Sequence, residues 1–94
     1  MVSQNGGSVQ GTITDQSDAR VATAEVVVTS KETGETRTMR TGATGLYAIG
    51  PLDPGNYTLR ISAPGFESLL VDTVIRVGTV TPGTYRLAIG SSTE

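Results

Sequence analysis

Cysteine, histidine and tryptophan are absent from this 94-residue chain, and lysine occurs once. Without cysteine there is no disulfide framework, no thiolate nucleophile and no thiolate metal site. Without histidine the chain lacks the commonest metal ligand and the usual general base near neutral pH. A Ser-His-Asp or Cys-His centre therefore cannot be built from these residues. Positive charge is also thin, with seven bases against nine acids and a net charge of −2. The bases are Arg20, Lys31, Arg37, Arg40, Arg60, Arg76 and Arg86. They form no run, so the footprint of a nucleic-acid binder is missing. No apolar stretch approaches the ~20 residues of a transmembrane helix, and Leu69-Leu70-Val71 is typical of those present. No direct membrane insertion is expected. The start, MVSQNGGS, has neither the basic nor the apolar region of a signal peptide. That leaves a cytosolic protein or a piece of a longer exported one.

What remains is rich in β-formers and breakers. Val, Ile and Thr supply 30 of the 94 residues, beside 12 Gly and 4 Pro. Branched side chains favour extended backbone, and Gly and Pro punctuate it. The length fits one domain. Residues 1–7 are expected to be a flexible lead-in, 8–90 the domain and 91–94 a tail or linker. Seven short strands are expected: 8–14, 24–30, 35–41, 46–49, 57–62, 68–77 and 84–89, with 78–83 as a turn. Val9, Ile13, Val26, Val28, Tyr57, Leu59, Ile61, Phe66 and Leu87 are the expected core. Val77, Tyr85 and Ile89 are expected inward too, and Arg37 on a wet face. No helical period occurs. The fold class expected is all-β, a seven-stranded antiparallel sandwich of immunoglobulin-like layering, because each strand has one apolar face to cover, with a small closed barrel as the competing architecture.

The order of the signals is more specific than the composition. Val9-x-Gly11-x-Ile13-x-Asp15 is followed by Ala24-x-Val26-x-Val28 and then Thr41-Gly42-Ala43-Thr44-Gly45-Leu46-Tyr47. Leu52-Asp53-Pro54-Gly55-Asn56-Tyr57-Thr58-Leu59 and Ala63-Pro64-Gly65-Phe66 come next. This series resembles the carboxypeptidase regulatory-like domain, a transthyretin-like sandwich related to collagen-adhesin B-type domains, over residues 8–90. Thr23 stands where that family usually has Gly. The closing run, Val74 to Glu94, is similar to the end of this domain in Oar-like TonB-dependent outer-membrane receptors.

The resemblance implies a non-catalytic accessory domain of an exported bacterial protein, on the periplasmic side of the outer membrane. Its expected partners are adjacent domains of the parent protein or another envelope protein. A carbohydrate is the alternative, since starch-binding modules share a similar sandwich. The related isopeptide bond needs Lys in the first strand and Asn in the last, and neither is present. The similar purine-pathway hydrolases depend on His, which the chain lacks.

Few residues suggest chemistry. Asp15 and Asp18 share a polar loop, but a hard cation needs more oxygen ligands than they supply. Glu25 and Glu67 give no sign of converging. Tyr47, Tyr57 and Tyr85 alternate with Leu and Ile, which points to core packing with a tethered hydroxyl. No catalytic, cofactor or metal site is expected. Val27, Leu70 and Val74 are apolar on faces expected to point outward, and they are the candidate contact surface.

Overall fold

The computed structural model describes residues 6–90. Residues 1–5 of the expected lead-in and the expected tail 91–94 lie outside them. Eight strands occur among the described residues: β1 Gly7–Thr14, β2 Glu25–Ser30, β3 Thr36–Arg40, β4 Leu46–Leu52, β5 Gly55–Ser62, β6 Leu69–Ile75, β7 Val80–Pro82 and β8 Tyr85–Arg86. They form two sheets. One has the order β4-β1-β7, with β8 also on β1, and the other the order β3-β2-β5-β6. The expected all-β sandwich is therefore present, with eight strands in place of seven.

The turns follow the chemistry of their residues. Asp53-Pro54 alone separates β4 from β5, with proline fixing φ at the corner. Gly45 precedes β4 at φ +75°, and a Cβ there would sit 2.7 Å from the Ile13 carbonyl. Only glycine takes that position without strain.

Alternation along the strands then sorts side chains by face. In β2, Val26 and Val28 are buried, and in β5 Tyr57, Leu59 and Ile61 are. The registers place Val26 opposite Ile61 and Val28 opposite Leu59, so both strands present their apolar face to the same side. Val9 and Ile13 of β1, Tyr47 and Ile49 of β4, Ile75 and Leu87 close the core from elsewhere. Fully burying one such aliphatic side chain contributes roughly 1.5–3 kcal/mol. A small domain's net stability is about 5–15 kcal/mol, so each of these positions matters.

Several expectations need correction. β7 forms inside the stretch expected to be a turn, and the strand expected at 84–89 is only two residues long. Both β7 and β8 run parallel to β1, pairing Ser8 with Val80 and Ile13 with Tyr85. The pairing is thus mixed and not wholly antiparallel. Val77 is exposed because β6 ends at Ile75 and the chain turns there. Ile89 is 72% exposed because the chain has left β1 by then and bridges Phe66. Tyr85 and Phe66 are half-buried at the margin of the core and not inside it. Arg37 is exposed, as expected, although it lies opposite the buried Val28; its guanidinium donates to the Pro51 carbonyl at 2.9 Å. Gly7, assigned to the lead-in, opens β1 and is buried. Val21, in the expected loop, is buried as well.

Candidate interaction face

The outer face of the β3-β2-β5-β6 sheet carries the three residues singled out as a contact surface. Registers arrange it in rows. One row runs Thr38, Val27, Arg60, Leu70, and the next Thr36, Thr29, Thr58, Asp72. Val74 stands opposite Asn56. Val27, Leu70 and Val74 therefore share a face, as expected, but they do not touch as one patch. Arg60 separates Val27 from Leu70, and Val27 is only half-exposed. Leu70 is 67% exposed and Val74 45%, four residues apart on β6. Between them, Asp72 pairs with Lys31 at 3.0 Å, an exposed bridge of small energetic value. Among the described residues β6 pairs only with β5, which makes it an edge strand there.

A third row lies at the end of this face. Arg40 is opposite Glu25, and Glu25 is opposite Ser62. Ser68 follows beside Ser62, one step past the Ile61–Leu69 pair. Strands are spaced ~4.8 Å apart, so the row spans ~14 Å. The β5–β6 turn rises at its end with Pro64 and Phe66, and together these residues line an open groove of about 330 Å³. Thr23 forms the rim at φ +58°, which is a strained conformation for a branched residue. A larger groove of about 420 Å³ runs beside β4, lined mainly by Met39, Leu46 and Ala48. Its Tyr47 hydroxyl is already committed, which leaves the exposed Gln10 amide as its polar side chain.

That hydroxyl donates to the Gly83 carbonyl at 2.6 Å, and burial, with Tyr85 nearby, holds its pKa well above the ordinary 10. Tyr57 is buried too, and its hydroxyl donates to the Asp53 carbonyl at 2.6 Å. Burial first, then the charges of Asp53, Glu35 and Glu32, push its pKa up. Neither ring is an exposed platform. Asp15 holds its own loop: one carboxylate oxygen accepts from the Ser17 amide, the Ser17 hydroxyl and the Ala19 amide. These bonds lower its pKa. Asp18 pairs instead with Arg86. Among the described residues no three His, Cys, Asp or Glu side chains gather as a metal site would require.

The family model for the carboxypeptidase regulatory-like domain matches residues 8–88. The chain belongs to this family. Solved structures agree on the fold. Klebsiella pneumoniae 5-hydroxyisourate hydrolase superposes with a TM-score of 0.69 at 21% identity, covering 90% of this chain and 92% of that one. A candidate carbohydrate-binding protein from Bacteroides uniformis gives 0.70 at 20% identity, covering 87% of this chain and 41% of that one. The Bacillus anthracis TIE protein gives 0.77 at 13% identity, over 90% of this chain and 17% of that one. The chain thus spans less than half the length of the last two. Comparison with curated protein sequences gives no match.

The motifs of the carboxypeptidase regulatory-like domain now have physical reasons. Gly11 lies where a Cβ would come within 2.3 Å of the Gly83 backbone, and a Cβ on Gly83 would meet the Tyr47 hydroxyl at 2.1 Å. The three residues pin the break between β7 and β8 against β1. Thr41, buried, donates from its hydroxyl to Val21 and accepts from the Ala24 amide. It ties the loop after β1 to the start of β2. The row through Arg40 and Ser68 has no signature along the chain, because it forms only when four strands align.

Proposed function

We propose that this domain is a non-catalytic accessory module of a larger exported bacterial protein, and that it acts through contact by its β6 edge. The observation that carries the proposal is the pair Leu70 and Val74, exposed on a strand whose second side is unpaired among the described residues. Large aliphatic side chains beside open backbone donors and acceptors favour covering by another protein surface. Family membership supports an accessory role. The likeness of the closing run to Oar-like TonB-dependent receptors supports the N-terminal extension of such a receptor as the parent, on the periplasmic face of the outer membrane. The gene sequence after Glu94 tests the parent: a plug followed by many alternating strands of ~10 residues supports a receptor, and their absence removes it. Replacing Leu70 and Val74 together by Thr tests the contact. Docking to the parent protein, or self-association, is expected to weaken while the fold persists. A monomer at high concentration whose double variant docks as well as the native chain would refute the contact.

A further inference from the structure

The row Arg40, Glu25, Ser62, Ser68 adjoins the Arg60–Leu70 row on the same sheet face and has the makings of a ligand site. Arg40 and Glu25 face outward from neighbouring strands, and neither belongs to the two ion pairs found among the described residues. Arg40 only donates hydrogen bonds, Glu25 only accepts, and the two serines do both. Their charges cancel, so a simple anion or cation entering the groove meets one group of like sign. A neutral molecule with many hydroxyls meets no such penalty and can satisfy both. Phe66 and Pro64 add an apolar wall at one end. Phe66 is half-buried, held from behind by the core and by the bond from the Glu67 amide to the Ala88 carbonyl at 2.8 Å. A pyranose presents this combination, with an apolar C–H face and a rim of hydroxyls.

We propose that the groove binds a neutral saccharide, with its ring against Phe66 and its hydroxyls on Arg40 and Glu25. The site is open and buries little surface, so affinity is expected near the millimolar range, ~1 mM. The test is an amide-shift titration of the full chain with neutral disaccharides of glucose, galactose, mannose, xylose and N-acetylglucosamine, and with free glycine as a zwitterionic control. At least one disaccharide is expected to give saturable shifts confined to Thr23, Glu25, Arg40 and 62–68. Arg40→Ala and Glu25→Gln should each weaken binding about tenfold, as expected for a lost hydrogen bond to a charged group. Val74→Thr, at the far end of β6 from the groove, should leave binding unchanged, which separates this site from the contact edge. The proposal is overturned if no disaccharide shifts the groove, if shifts survive both Arg40→Ala and Glu25→Gln, or if glycine binds there and the sugars do not.

Discussion

Tyr47 shows how one side chain fixes the placement of a strand. Its hydroxyl crosses β1 above Gly11 and holds the Gly83 carbonyl. Tyr47→Phe keeps the ring but leaves that carbonyl without its donor, and we expect a loss of ~1–2 kcal/mol in denaturant unfolding. Gly11→Ala should cost more, since the atoms its Cβ would meet are backbone and cannot step aside. Tyr47 also predicts a pH dependence. Its folded pKa is raised above the unfolded value of 10.0, so the neutral form is favoured in the native state. Its contribution is complete below pH 10 and is lost as pH rises towards the folded value. Thermal melts should show stability falling above pH 10, less steeply in Tyr47→Phe, with Tyr57 sustaining the remainder. At the acid end, the lowered pKa of Asp15 works the other way. Its loop bonds contribute above the ordinary carboxylate value of 3.8 and fade as pH falls through the lower folded value. Thr23 is the converse case, a residue at odds with its backbone. Thr23→Gly relieves ~1–2 kcal/mol of left-handed strain and costs ~0.5–1 kcal/mol in chain entropy. A small net gain in melting temperature is expected.

At the scale of the element, β6 combines two functions in one alternation. Val71 and Ile75 pack on the core while Leu70 and Val74 face out. Because the outward pair is solvent-exposed, replacing both by Thr should change folding stability by less than ~0.5 kcal/mol per site. Equilibrium unfolding of the double variant checks this independently of any docking assay. The same alternation made β2, β5 and most of β6 legible from the sequence, because period two fixes the face wherever one side is buried. The turns before β4 and β5 were legible for a different reason, as Gly45 and Pro54 have few conformations open to them. β7 was not legible, and β8 was legible only as part of a longer strand over 84–89. A parallel edge strand needs no hairpin signal, and its three or two residues are too short to show a period. Ile89 misled because it keeps the alternation of Leu87 after the chain has left β1. The outward positions of Leu70 and Val74 could be inferred from spacing. The alignment of Arg40, Glu25 and Ser62 could not, since it depends on the register of three strands far apart in sequence.

For the whole molecule, two sheets share a core built largely from aliphatic side chains of small or middle size. Leu59 is fully buried on a central strand, so Leu59→Ala should cost ~2–5 kcal/mol, a large share of the total. A loss below ~1 kcal/mol would mean the site collapses around the deletion or the core is not packed as described. A sandwich of this kind leaves its edges as the surfaces free to meet neighbours, and β6 is the edge that carries two exposed aliphatic side chains on one face, Leu70 and Val74. Hydrogen exchange, compared between the 94-residue chain and the full-length parent protein, tests this most directly. We expect the amides of Leu69–Ile75 to exchange more slowly in the parent, with the opposite edge at β4 unchanged. Equal exchange along β6 in both, or new protection confined to β4, would contradict the contact role assigned to this edge.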